Sequence, residues 1–237
     1  MTVAGDLSRL FSMHTTLTSF DLVGQRVWRV DFSRATFQPA DLLWLPHAAQ
    51  LANAVPRRQA EHLAGRMAAV AALRAAGAGT QIPGIGAHRE PCWPDGFIGS
   101  ITHTGHRAWA AAITTPGIIG IDAETLMDAQ TAQELAPGII DAQEQARLAR
   151  ASLPFPSALT LVFSAKESLF KALFPQVGDW FGFECAHVVG LEANTLTLRL
   201  TTPLGPFPTG RCFTLHWQQE DAIIFTLLTL PNPREML

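Results

Sequence analysis

The sequence predicts an α+β protein built as two halves. Three observations carry that expectation. Segments with strand patterning occur in both parts of the chain, and a long helix-forming segment accompanies each group. A turn-forming stretch, Thr114-Thr115-Pro116-Gly117, stands between them.

The first ~25 residues carry few strong signals. Trp28, Val30 and Phe32 then alternate with Arg29, Asp31 and Ser33, the period of a strand. Pro56 suits the first turn of a helix that runs to about Ala76 and stops at Gly77. Its apolar line is Leu63, Met67, Val70 and Ala71, and Arg58, His62 and Arg66 form a second row at i, i+4, i+8. Residues 82–99 are rich in Gly and Pro and read as loop, and 98–113 reads as a hairpin turning near Thr104-Gly105. A short buried strand, 118–122, follows the boundary. Asp141 and Glu144 have the spacing of a capping box for a helix to Arg150. The helix over 157–173 is amphipathic, with Leu159, Val162, Phe163, Phe170, Leu173 and Phe174 on the apolar side. Thr160, Ser164, Glu167 and Lys171 make its polar stripe. Strands are predicted at 186–190, 195–200, 211–217 and 222–230.

Composition excludes several classes. At 237 residues, 48% hydrophobic, with a net charge of −3, the chain is neither disordered nor a polycation suited to nucleic acid. No uncharged apolar run reaches the ~18 residues of a membrane span. The N-terminus lacks the basic start and apolar core of an export signal, so a cytoplasmic protein is expected. Cys92, Cys185 and Cys212 are odd in number and far apart, which fits neither a disulfide framework nor a paired Cys metal site. The basic residues are more informative: 17 in all, with lysine only at 166 and 171. Where Arg has replaced Lys almost everywhere, a site that keeps Lys points to a need for a compact, rotatable ammonium.

No phosphate-binding P-loop occurs, because no Gly is followed by Lys, and Gly84-Ile85-Gly86 lacks the third glycine of a dinucleotide fingerprint. His103 and His106 form an HxxH pair on a predicted hairpin, without the Cys or carboxylate partners that zinc needs. Two segments remain. In Gly120-Ile121-Asp122-Ala123-Glu124 an extended chain puts both carboxylates on one face, where they repel unless a cation or proton intervenes. Oxygen-only ligands suit magnesium; alternatively, the segment is a strand end entering a solvated acidic loop. In Phe163-Ser164-Ala165-Lys166-Glu167-Ser168-Leu169-Phe170-Lys171, Glu167 and Lys171 are helical i, i+4 neighbours. That is also the spacing of an ordinary stabilising pair, and Ser164 with Glu167 has that of a capping box. Together the two segments point to a phosphate-handling enzyme.

The pair of segments, with 45 positions from Asp122 to Glu167, resembles the paired signature of 4'-phosphopantetheinyl transferases of the surfactin-type group. Glu61-His62-Leu63-Ala64-Gly65-Arg66, Cys92-Trp93-Pro94 and Gly99-Ser100-Ile101-Thr102-His103-Thr104 resemble its enterobactin synthase component D-like branch. The likeness runs from about residue 45 to 172. It implies two similar α+β halves with the active site at their interface, residues 1–115 serving the 3'-phosphate of coenzyme A and 116–237 the catalysis. It also implies transfer of 4'-phosphopantetheine from coenzyme A to a serine of an apo aryl, peptidyl or acyl carrier protein. Asp122, Glu124 and Glu167 match that family's Mg²⁺ ligands. Glu167 also matches a general base, and Lys171 a residue that steadies the transferring phosphate. Arg58, Arg66, Thr102 and His103 match contacts to coenzyme A, with Thr102 in place of a serine and Arg57 an alternative to Arg58. Trp93 is expected in the core, and a monomer is expected, since one chain carries both halves. A Mg²⁺-dependent nucleotide hydrolase or nucleotidyl transferase without a protein acceptor is the alternative.

Overall fold

The computed structural model describes residues 11–230. They form two compact units, residues 11–117 and Ile118–Leu230.

In the first unit, strands β1 (Thr15–Leu22) and β2 (Gln25–Phe32) form a hairpin. Its turn residues, Val23 and Gly24, both take left-handed φ values of 46° and 81°, which suit the twist of paired strands. Helix α1 (Pro56–Ala75) begins at the expected proline and buries Leu63, Met67, Val70 and Ala71. Many of its other buried residues are alanines, which lets it lie close to the sheet. A Cβ on Gly65 would come within 3.0 Å of Ile101 Cγ2. Two short strands, β3 (Gly84–Ile85) and β4 (Pro91–Cys92), pair inside the Gly- and Pro-rich loop. The predicted hairpin is present as β5 (Phe97–Thr104) and β6 (Arg107–Thr114). The sheet runs β1-β2-β6-β5, so β5 is an edge strand, and α1 packs on β2, β5 and β6. Trp93 packs against this core.

The second unit opens with β7 (Ile118–Thr125), longer than predicted and buried up to Ala123. Helix α2 (Ala129–Ile139) follows, capped by Asp128, which accepts from Thr131 N. Helix α3 (Ala142–Leu148) carries the predicted capping box, with both reciprocal hydrogen bonds formed. Then come α4 (Phe155–Val177) and strands β8 (Ala186–Leu191), β9 (Thr195–Leu200), β10 (Cys212–Glu220) and β11 (Ile223–Leu230). The antiparallel sheet runs β7-β11-β10-β9-β8, with α4 packed mainly on β7 and β11. None of the helices among the described residues is long and apolar enough to cross a membrane.

The orientation of α4 corrects the sequence-based expectation. Thr160, Ser164 and Ser168 are fully buried, whereas Phe163, Phe170 and Phe174 are half-buried. Hydroxyl pairing makes this arrangement stable, since buried polar groups are tolerated when hydrogen-bonded. Ser164 and Ser168 Oγ lie 2.9 and 2.7 Å from Thr226 Oγ1 on β11. Thr160 donates to Pro156 O and accepts from Met127 N. The helix also continues through Pro175 and ends where Gly178 takes a φ of 72°. Gly120 allows the close approach of helix and strand. A Cβ there would overlap Ser168 O and come within 2.7 Å of Ala172 N.

Candidate active site

The second unit brings the acidic segment and the lysine-bearing helix together. Asp122 is buried on β7, and its Oδ1 lies 2.6 Å from Lys171 Nζ on α4. The same ammonium donates to Ile121 O at 3.3 Å. Burial first, and then the charge of Asp122, pushes Glu124 up to about 7; Lys171 opposes this and Glu167 adds to it. Burial also raises Glu167, with Lys171 opposing and Asp122 reinforcing the shift. Glu124 and Glu167 therefore both feel the charge of Asp122, with the Lys171 ammonium opposing it. A donor set of carboxylate oxygens with excess negative charge fits a hard divalent cation such as Mg²⁺.

In metal-free protein this geometry has a measurable signature. Folded Glu124 holds its proton to about pH 7, against an ordinary value of 4.5, so folding takes up a proton between the two. This contribution to stability is complete below about pH 4.5 and is lost as the pH rises through about 7. His47 and His62 are both lowered, His62 to about 3, and give the opposite slope below their ordinary 6.5. The difference between parent and Glu124→Gln isolates the carboxyl. Relative to the parent, the variant should gain melting temperature as pH rises from about 5 to 8 in EDTA. A difference that stays flat across that window contradicts the assignment.

The two lysines justify their compact ammonium groups. Lys166 Nζ is buried and meets three acceptors: Ile139 O at 2.8 Å, Phe183 O at 3.2 Å and Glu144 Oε1 at 2.9 Å. A planar guanidinium does not match three acceptors spread in this way. Glu144, besides capping α3, accepts from Val188 N, so this cluster ties α2, α3, α4 and β8 together. Asp141, Glu144 and His187 bring three possible metal-ligand atoms within 4.8 Å of one another. The capping box and Lys166 already satisfy the carboxylates, however, which makes this a structural cluster.

Beside Glu167 a cavity of about 280 Å³ is lined by Leu169, Phe170, Trp180, Phe181 and Phe183. Phe170 is its centre, with ring centroids 4.6 Å from Trp180 and 5.0 Å from Phe181. Of the half-buried aromatic residues on α4, Phe170 thus belongs to this cavity.

In the first unit the predicted anion-binding residues separate. Arg58 Nη1 lies 3.1 Å from His103 Nε2. Arg66, one helical turn pair away, is buried and donates from Nε and Nη2 to Pro83 O and Gly84 O, both at 2.8 Å. Burial pulls Arg66 down to about 10, while Cys92 opposes the shift. His62 Nε2 sits 2.9 Å from His47 Nε2 and is a packed, neutral residue. Thr102 is buried on the face of β5 opposite His103, because neighbouring side chains alternate. His106 does not join His103; its ring packs against Phe32. One residue was not foreseen as central. Glu61 is buried beneath Arg34, Arg57, Arg58 and His103. The i, i+4 spacing of Arg57 and Glu61 was the available signal for it.

Residues 46–113 match the family model described as the 4'-phosphopantetheinyl transferase N-terminal domain, and residues 118–226 that of the 4'-phosphopantetheinyl transferase superfamily. Enterobactin synthase component D of Salmonella typhimurium is 44% identical over 217 residues, 92% of this chain and 91% of that protein. Its Escherichia coli K12 counterpart is 42% identical over 215 residues, covering 91% and 98% respectively. The 4'-phosphopantetheinyl transferase PptT of Mycobacterium tuberculosis is 36% identical over 213 residues, covering 81% of this chain and 88% of that one. Both units are covered by these matches, and the chain belongs to the 4'-phosphopantetheinyl transferase superfamily.

Proposed function

We propose that this enzyme moves 4'-phosphopantetheine from coenzyme A to a serine of an apo carrier protein and releases adenosine 3',5'-bisphosphate. The observation that carries the site assignment is the Asp122, Glu124 and Glu167 set beside Lys171. These carboxylates would hold Mg²⁺, which when bound supplies charge neutralisation at the pyrophosphate oxygens. Lys171 steadies the transferring phosphoryl group, and its bond to Asp122 keeps its ammonium in place. Glu167 has the raised basicity of a proton acceptor for the serine hydroxyl. The serine oxygen bonds to the β-phosphorus, the bond from that phosphorus to the bridging oxygen breaks, and the adenosine bisphosphate leaves with that oxygen. The aromatic cavity beside Glu167 suits the dimethyl and methylene segments of a thin pantetheine arm.

Arg58 and His103, with Thr102 along the same edge strand, take the 3'-phosphate of coenzyme A. Arg66 supports that pocket through the loop carbonyls it holds. The relatives named as enterobactin synthase components favour an aryl or peptidyl carrier of siderophore assembly as acceptor. One chain carries both units, which supports a monomer as the working unit. The names of the relatives give no support to a nucleotide hydrolase.

Intact-mass measurement tests the function. With coenzyme A and Mg²⁺, an apo aryl or peptidyl carrier protein should gain one phosphopantetheine, and EDTA should stop the gain. Unchanged mass for carriers from several pathways would overturn it.

A further inference from the structure

Glu61 has a place in the first unit that the transfer chemistry does not use. Its side chain is 4% exposed, while those of Arg57 and Arg58 are 71% and 60% exposed. Oε1 accepts from Arg34 Nη2 at 2.6 Å and Arg57 Nε at 2.9 Å. Oε2 lies 3.7 Å from Arg58 Nη1 and 3.8 Å from His103 Nδ1. Arg34 also donates to Gly105 O in the β5–β6 turn, so it joins Glu61 on α1 to the strand that carries His103.

The charges do not cancel. Three guanidinium groups face one carboxylate, leaving two positive charges even with His103 neutral. Arg58 and His103, both able to carry positive charge, are nonetheless held 3.1 Å apart. With Arg58 donating, His103 Nε2 accepts and its Nδ1–H is left on the side of Glu61. Burial alone would raise the Glu61 carboxyl, but the Arg57 hydrogen bond and the positive charge packed around it, Arg34 and Arg57 included, outweigh it and hold it ionised. A surplus of two positive charges matches a phosphomonoester, which carries about −1.5 to −2 at pH 7. In coenzyme A the 3'-phosphate is such a group.

We propose that Glu61 is the positioning residue of the 3'-phosphate pocket, a buried carboxylate that aims Arg57, Arg58 and His103 at the phosphate without touching it. The proposal rests on the 3'-phosphate reading of this pocket given above. It also gives Arg57 and Arg58 a joint role, because the same carboxylate orients both.

Glu61→Gln keeps the shape and removes the charge. Steady-state assays with coenzyme A and with 3'-dephospho-coenzyme A, at saturating carrier protein, read the effect. KM for coenzyme A should rise about tenfold, the scale of one charge-assisted hydrogen bond. KM for the dephospho substrate should change little, so the preference narrows, and the loss should fall on KM far more than on kcat. A variant that keeps the parent's preference overturns the proposal while leaving the pocket reading intact. So does an equal loss with both substrates, which marks a merely structural residue. A parent enzyme that does not distinguish the two substrates removes the pocket reading, and this proposal with it. Should Glu61→Gln fail to fold, the Arg34→Gln, Glu61→Gln double variant removes one charge of each sign and carries the same comparison. If neither folds, Glu61 serves stability alone and the proposal is overturned.

Discussion

Glu167→Ala and Asp122→Ala should each lower turnover at least about a hundredfold while leaving the chain folded. Losing the charge stabilisation that a metal provides at a phosphoryl centre is worth several kcal/mol, and about 2.7 kcal/mol already corresponds to a hundredfold. Stability responds differently. The charge of Glu167 adds to the upward push on Glu124, so removing Glu167 relieves repulsion in the metal-free protein. Asp122→Ala frees Lys171, whose side chain is 27% exposed and remains solvated. Turnover at saturating Mg²⁺ with melting curves as the folding control separates the two effects. A folded variant with near-normal turnover would show that the ligand assignment is wrong.

Lys166→Met should have the largest effect on stability. Lys166 and Glu144 are each 2% exposed, and removing the ammonium leaves a buried carboxylate without its counter-charge. Breaking such a pair costs roughly 3–5 kcal/mol, which for a chain of this size is about 10 °C in melting temperature. Burial already pulls Lys166 below its ordinary pKa despite Glu144, so the pair does not fully offset its own desolvation. Combining Lys166→Met with Glu144→Gln should therefore recover much of the loss. A double-mutant cycle on melting curves measures the coupling. A single variant as stable as the parent would remove Lys166 from this role.

Local chemistry made much of the fold legible. Pro56 and Gly77 bracket α1, Asp141 and Glu144 cap α3, and Gly105 lies in the β5–β6 turn, all within a few residues of chain. Elements that depend on distant partners were harder to read. Strand β1 is Thr- and Ser-rich and half-exposed at a sheet edge, which leaves no strong alternation to detect. Helix α2 carries Pro137, which weakens its helical signal. The face of α4 was assigned from hydrophobicity, but Ser164 and Ser168 are paired with Thr226 some sixty residues away. A hydroxyl's burial is decided by such a partner, and periodicity cannot see it. In the candidate site, carboxylates and lysine at helical and strand spacing were visible. The diversion of Arg66 to loop carbonyls and the central place of Glu61 were not, because both depend on which backbone the tertiary fold brings alongside α1.

The missing side chain at Gly120 gives the catalytic geometry an indirect weakness. A single methyl there would act as a wedge between β7 and the backbone of α4 near Ser168 and Ala172. Asp122 rides on one side of that seam and Glu167 with Lys171 on the other, so prising it open would part them together. A substitution that touches no substrate would then look, in a kinetic assay, like damage to several ligands at once. Attempts to stiffen this strand by filling glycines should spare that position.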